Sequence, residues 1–328
     1  MSNLWRPEAF QGKGKTNNYF EGWYFKSVSA DEKTAIAVIP GISLSKDATK
    51  SHAFIMVVDA RRHKLSYTEY PLSEFSSDET VFNIKIGQNS FSLNHMHLDI
   101  QDGKKHIKAD LKFSTIIPWP VTRFSPGTMG WYAFVPLMEC YHATVSFDHR
   151  ISGQFQIVSK KIDFTGGKGY LEKDWGRSMP SSWIWMQTNH FDEDGVSLFG
   201  SVAKVPWLGN SFTGYIFGVL HRSQLYKFTT YTGAKITKLT VDENHIVVHI
   251  QDKQHILEIT ADRAEGIDLP APKLGEMTAK VNESLKSKIQ IELYKKTKTG
   301  RIEIFSGQGR NAGLEFVGDI KELLKGFK

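Results

Sequence analysis

One cysteine, Cys140, stands in 328 residues, which excludes an internal disulfide and leaves a buried thiol as the expected state. No apolar run approaches the roughly 20 residues that a helix needs to cross a bilayer. The opening residues Met1-Ser-Asn-Leu-Trp-Arg-Pro7 show neither the basic start and apolar core of a secretory signal nor the Arg- and Ser-rich character of a transit peptide. A cytoplasmic protein is the expectation. Familiar cofactor motifs are missing as well. Gly12-Lys-Gly-Lys-Thr16 imitates a phosphate loop, but Ala9 stands where the first glycine belongs. Asp192-Glu-Asp-Gly195 imitates a calcium loop, but His190 fills the first ligand position, so a hairpin turn is expected. Phe305-Ser-Gly-Gln-Gly309 lacks the third glycine of a dinucleotide site, and no Gly-x-Ser-x-Gly elbow occurs. No cofactor is expected.

Helical periodicity is also scarce. Only Ser284–Lys288 and Asp319–Phe327 suggest short helices, the second with Ile320, Leu323 and Leu324 on one side. The prevailing rhythm has period two. Phe82, Ile84 and Ile86 alternate with polar residues, Gly87–Ser90 turns, and Phe91 and Leu93 resume. Ile107, Ala109, Leu111 and Phe113 follow an Asp102-Gly103 turn; Ile246, Val248, Ile250, Leu257, Ile259 and Ala261 repeat the pattern later. Such runs are half-buried antiparallel strands joined by tight turns, and sheets of this kind favour closure because closure removes edges. Two proline-rich breaks, Ile116–Pro120 and Asp268–Pro272, interrupt the rhythm, and Phe124–Gly130 reads as a long loop.

A chain of this length exceeds the usual limit of a single core. Its 40% hydrophobic content, with eight tryptophans and 21 phenylalanines, fills two. The turn Thr165–Gly169 is the expected boundary, giving domains 1–165 and 166–328. The net charge of +6 permits anionic partners without demanding them. The most basic stretch, Lys280 to Lys298, reads as a solvated face that suits membrane-surface attraction if the substrate is a lipid. It has no interleaved aromatics for nucleic acid, so no nucleic-acid partner is expected. His95 with His97 and His245 with His249 share strand faces, but without a close third ligand no metal site is expected.

The densest chemistry lies in Gly169-Tyr-Leu-Glu-Lys-Asp-Trp-Gly-Arg-Ser-Met-Pro-Ser-Ser-Trp-Ile-Trp-Met-Gln-Thr-Asn-His-Phe191 and in Tyr19-Phe-Glu-Gly-Trp-Tyr-Phe-Lys26. The first resembles the tocopherol cyclase family's Tyr-x-Glu-Lys-(Asp/Asn)-Trp-Gly followed by Pro-x-x-Trp-x-Trp-x-Gln; the second resembles that family's other signature. Pro126–His142, with Gly-Trp-Tyr and Pro-x-Met-Glu, is similar in character. The resemblance implies a relative of the two-barrel, lipocalin-like fold of carotenoid hydratases and some fungal Diels–Alder cyclases. The fold expected is therefore all-β: two consecutive lipocalin-like antiparallel β-barrels with few short helices. The signature residues are expected to meet where the domains join.

Carboxyl groups beside aromatic bulk are the candidate acids, because burial raises a carboxyl pKa and keeps a proton available for an alkene. Glu172, Asp174 and Glu21 lead, with Glu139 and His142 behind. Each has a bland alternative as an ion-pair partner, Lys173 with Glu172 or Asp174, Arg177 with Asp174, Lys26 with Glu21. Trp23, Tyr24, Trp131, Tyr132, Trp175, Trp183, Trp185 and Gln187 are the candidate substrate-binding residues. Indole faces stabilise a cation by up to about 2 kcal/mol when desolvated, although two indoles on one strand face are most often core. By resemblance, the chain is a cyclase-like isomerase that closes a ring on a prenylated quinol or related isoprenoid. A binding protein that sequesters an apolar metabolite without chemistry is the alternative. The expected partner in either case is an apolar small molecule or prenyl lipid. Against the plant pattern, no targeting segment is expected from the opening residues, and the chain reads Asp174-Trp-Gly-Arg-Ser178, where Arg177 and Ser178 would narrow or polarise the site.

Overall fold

A computed structural model describes residues 3–103, 105–135, 138–207 and 210–327. The chain divides into two compact units, Met1–Met179 with Leu269–Lys280, and Pro180–Asp268 with Val281–Lys328. The first unit begins with β1 (Tyr19–Val28), β2 (Ala35–Leu44), β3 (His52–Asp59), β4 (Lys64–Tyr70) and β5 (Phe75–Ser77). Then come β6 (Asn83–Ile86), β7 (Asn89–Ser92), β8 (His95–Asp102) and β9 (Lys105–Ser114). A small hairpin, β10 (Val121–Thr122) and β11 (Ser125–Pro126), precedes β12 (Cys140–Ile157), β13 (Lys160–Asp163) and β14 (Gly167–Gly176). Among the described residues the sheet runs β4-β3-β2-β1-β14-β12-β9-β8-β7-β6-β5, with β13 on β12. The expected junction at 165–166 falls in the turn before β14, and β14 pairs with both β1 and β12 in the middle of this sheet.

The second unit contains β15 (Trp183–Thr188), β16 (Ser197–Trp207), β17 (Asn210–His221), β18 (Gln224–Thr229), β19 (Lys235–Val241), β20 (His245–Gln251) and β21 (His255–Asp262). β22 (Ile267–Lys273) and β23 (Glu276–Thr297) each begin in one unit and end in the other, and β24 (Gly300–Val317) closes the series. The second sheet runs β18-β17-β16-β15-β24-β23-β21-β20-β19, with β22 on β23. The architecture is all-β, built of two large antiparallel sheets. Each ladder ends without a pairing between its terminal strands, β4 with β5 or β18 with β19, among the described residues.

Period two explains both cores. Trp23 and Phe25 of β1 pack with Ile36, Val38, Ile55 and Val57 on one face, joined by Leu171 of β14. In the second unit Ile184 and Met186 of β15 pack with Leu198, Phe217, Ile259 and Ile291. Three local expectations need correction. Ser284–Lys288 is strand, not helix: β23 carries register shifts at Ser284, Ser287 and Ile289, and these bulges break the alternation that marks a strand. Asp268–Pro272 lies within β22, which among the described residues lies off the main strand path and pairs with β23. Pro270 and Pro272 are two apart, so both can face their missing N–H groups away from the partner. Phe124–Gly130 is not all loop, since Ser125–Pro126 pairs with Val121–Thr122. The helical tail forms as expected, a short helix over Ile320–Leu324 followed by a 3-10 turn, with Asp319 capping through the Glu322 N–H.

Candidate functional site

The two faces of the β1–β14–β12 region hold two different polar systems. On the interior face Glu21 lies between Tyr19 and Trp23, and β14 contributes Lys173 and Trp175 through the register Trp23↔Lys173 and Glu21↔Trp175. The Lys173 ammonium reaches Glu21 Oε1 at 2.6 Å, with both side chains fully excluded from solvent. Lys173 also donates to the Pro7 carbonyl at 2.9 Å and to the Ala9 carbonyl. Glu21 accepts from the Gln11 N–H and the Tyr19 hydroxyl. The ammonium stands 4.9 Å from the Trp23 ring centroid and 4.7 Å from that of Trp175. Burial pushes the Lys173 ammonium down, against the pull of Glu21, and burial followed by the Glu21 charge pushes the Tyr19 phenol up. This is a buried ion pair in which both carboxylate oxygens of Glu21 are engaged, by Lys173, the Gln11 N–H and the Tyr19 hydroxyl. Lys173 pairs across strands with Glu21.

The opposite face carries the second system. Tyr170, Glu172 and Asp174 alternate along β14, and His142 and Thr144 of β12 sit beside Asp174 and Glu172 in register. The Tyr170 hydroxyl donates to Glu172 Oε2 at 2.6 Å. His142 Nε2 lies 3.7 Å from Glu172 Oε2, and its Nδ1 lies 3.0 Å from Asp174 Oδ1. Burial pulls the His142 imidazole down, but Asp174, Glu172 and the Asp174 hydrogen bond outweigh it and hold it above its ordinary value. Burial and the Glu172 charge push the Tyr170 phenol up. Tyr170, Glu172, His142 and Asp174 form a four-membered polar relay, hydrogen-bonded within the pairs Tyr170–Glu172 and His142–Asp174 and joined between Glu172 and His142 by a charge contact longer than a hydrogen bond; its outer end, Asp174, is 24% exposed and its Glu172 is 7% exposed. Ligand atoms of His142, Glu172 and Asp174 lie within 4.8 Å of one another, so these three are also the residues that would converge on a divalent cation.

Local sequence shapes this face. Gly169 must be glycine because the His149 ring fills the space of its missing side chain; a Cβ would stand 2.1 Å from Nε2. Gly176 has φ +146°, and a Cβ there would meet the Glu139 carbonyl at 2.2 Å. That close approach explains the Trp-Gly step of the motif. β12 has register shifts at Thr144, Ser146 and His149, which free its backbone for the 116–135 segment. The Trp119 N–H bonds the Thr144 carbonyl at 3.3 Å, the Phe147 N–H bonds the Ile117 carbonyl at 2.7 Å, and the Thr144 N–H bonds Thr128 Oγ1 at 2.8 Å.

The expected site residues separate accordingly. Glu172, Asp174 and His142 come together, and Tyr24 stands opposite Glu172 on the same face. Glu21, Trp23 and Trp175 belong to the interior face; Trp23 stacks on Phe82 at 5.5 Å, and Trp175 stacks on Tyr141 at 5.6 Å. Glu139 is half-buried, its carbonyl accepting from the N–H groups of Arg177 and Ser178, and its side chain is not one of the converging three. Trp131 is half exposed and Tyr132 half-buried. Sequence reasoning missed Tyr170 as a partner, although its spacing of two from Glu172 announced a shared face.

In the second unit Trp183, Trp185 and Gln187 share the face of β15 opposite the core, and all three are buried. Trp183 Nε1 donates to Glu315 Oε2 at 2.7 Å. Glu315 of β24 lies beside Trp185 and opposite the buried Glu283 of β23. A carboxylate pair thus accompanies the two indoles, and neither glutamate had a motif to flag it.

Among known proteins, the chain is 26% identical over 160 residues to a probable tocopherol cyclase, chloroplastic, of Oryza sativa subsp. japonica, a match covering 47% of this chain and 34% of that protein. It is 26% identical over 153 residues to the tocopherol cyclase, chloroplastic, of Zea mays, covering 45% and 32%. The chain therefore matches about a third of the length of these curated relatives. In fold it is similar to CghA solved with Sch210972, with a TM-score of 0.57 at 8% identity over 92% of this chain and 89% of that one. An AttH candidate from Nitrosomonas europaea gives a TM-score of 0.53 at 15% identity over 91% and 92%. These neighbours share the lipocalin-like all-β fold. The description "Tocopherol cyclase-like" fits residues 91–318, from β7 through β24 and across the His142–Glu172–Asp174 relay, and a match over more than half of the chain makes it a member of the tocopherol cyclase-like family.

Proposed function

We propose that the chain is a cyclase-like isomerase that closes a ring on a prenylated quinol or related isoprenoid by protonating an alkene. The observation that carries this reading is the relay of two carboxylates around one imidazole. Its family membership supports the reaction class. Asp174, the most exposed of the three converging groups, is the donor; His142, whose raised pKa favours the imidazolium, passes it a proton through Nδ1. Glu172, steadied by the Tyr170 hydroxyl, holds the far side of the ring. The proton adds to the alkene carbon and leaves a tertiary cation. The phenol oxygen attacks that cation, a C–O bond forms, and the phenolic proton returns to the carboxylate. No proton or electron is gained or lost, as an isomerisation requires.

The test incubates purified protein with prenylated quinols in deuterated water. Deuterium is expected on the new ring carbon, and Asp174→Asn is expected to abolish its incorporation while ligand affinity stays nearly intact, because the amide keeps shape but cannot give up a proton. Glu172→Gln, which removes one of the charges that hold His142 protonated, is expected to slow incorporation and move its pH dependence to lower pH. The rate is expected to fall as pH rises through the raised His142 pKa, above about 6.5. Binding without deuterium across several tail lengths would replace catalysis with sequestration of an apolar metabolite. Turnover lost to a chelator and restored by a divalent cation would recast the three side chains as ligands.

A further inference from the structure

The 116–135 segment, one of the elements neighbouring the relay, turns its other side to solvent. β10 and β11 pair Val121↔Pro126 and Thr122↔Ser125, so Arg123 and Phe124 form a two-residue hairpin tip. Phe124 is 75% exposed and Val121 43% exposed. The Arg123 guanidinium lies 5.5 Å from the Phe124 ring centroid. Trp5 braces the tip, its indole N–H donating to the Arg123 carbonyl at 3.2 Å, and its ring meets Phe134 edge-on at 6.0 Å. Trp131 and Phe134 lie three apart in the 3-10 turn Gly130–Phe134, so they share one side of it, 50% and 46% exposed. The base beneath is fixed: Pro126, Thr128, Met129 and Gly130 are buried.

We propose that this tip, with Trp5, Trp131 and Phe134 around it, docks the protein on the surface of an anionic lipid bilayer. Apolar side chains exposed on a soluble surface are usually scattered singly; here they are gathered around one protruding turn. Indoles favour the headgroup region, a phenyl ring at a tip reaches the acyl boundary, and an arginine beside it meets the lipid phosphate. A second copy of the chain fits less well. The exposed rings amount to on the order of 500 Å², short of the roughly 800 Å² per partner of a stable interface. The inference goes beyond ring closure and stands without it, since it concerns a surface distinct from the relay.

The test sediments the full chain with vesicles of phosphatidylcholine alone and with added phosphatidylserine, with no substrate present. Binding to both is expected, strengthened by phosphatidylserine. Phe124→Glu is expected to lower the partition about tenfold or more, the ratio set by transferring a phenyl ring. Arg123→Glu is expected to remove the phosphatidylserine preference, and Trp131→Ser to weaken both. Phe124 is too exposed for its substitution to unfold the chain, and circular dichroism checks this. Failure of the wild type to sediment with either vesicle, or equal binding by Phe124→Glu, overturns the proposal. Self-association that depends on concentration and is lost in Phe124→Glu overturns it in favour of a second copy.

Discussion

Replacing Glu21 by glutamine separates a folding role from a part in the proposed catalysis more sharply than any other single change. The substitution leaves the Lys173 ammonium without its 2.6 Å carboxylate contact in a region that water does not reach. Two backbone carbonyls and two indole faces remain to it. Breaking a fully buried pair from one side costs about 3–5 kcal/mol, because the partner is left charged in a poor solvent or must shed its proton. For a unit of this size, that corresponds to a melting temperature lower by about 6–20 °C. Lys173→Met should cost a similar amount by stranding Glu21. The double variant Glu21→Gln with Lys173→Met should recover most of the loss, since an apolar replacement of a buried pair is often neutral. Urea unfolding followed by tryptophan emission reads all four species, with Trp23 and Trp175 as reporters beside the ammonium. The reasoning fails if the single losses simply add in the double variant. It fails equally if Glu21→Gln keeps wild-type stability while losing turnover, for then Glu21 would be the catalytic acid.

Two further predictions concern stability. Burial holds the His149 imidazole down at about 3 in the folded chain, beside Ser146 Oγ at 3.1 Å and the Phe113 ring at 4.8 Å. The unfolded chain therefore binds the extra proton first, so this stabilisation is complete above about pH 6.5 and is lost as pH falls toward 3. By pH 4.5 the loss should reach about 3 kcal/mol, and His149→Leu should flatten the difference between urea midpoints at pH 7 and 4.5; an unchanged slope would refute it. Trp183→Phe removes the indole donor from Glu315 and should cost about 1.5–3 kcal/mol. If affinity for an apolar ligand drops while stability holds, the indole serves the ligand instead.

Sequence alone determined what depends on local spacing. The period-two runs fixed the all-β class, and the spacing of Trp183 and Trp185 placed both indoles on one strand face, because strand geometry alternates whatever the partner. Tertiary structure decided the partners. Lys173 sits between two carboxylates in sequence, yet its alternate position turns it to the interior, where the β1–β14 register delivers Glu21. His142 is 30 residues from Glu172 and meets it only because β12 and β14 pair. Local signals failed where a strand broke its own rule, at the bulges of Ser284–Lys288 and the prolines of β22, since an edge or a bulge is a property of the neighbouring strand. The sidedness of Trp131, on an exposed turn and not in an enclosed site, depended on how residues 116–135 pack along β12. Composition cannot encode that choice, because an indole suits a core, a cavity wall and a membrane surface equally well.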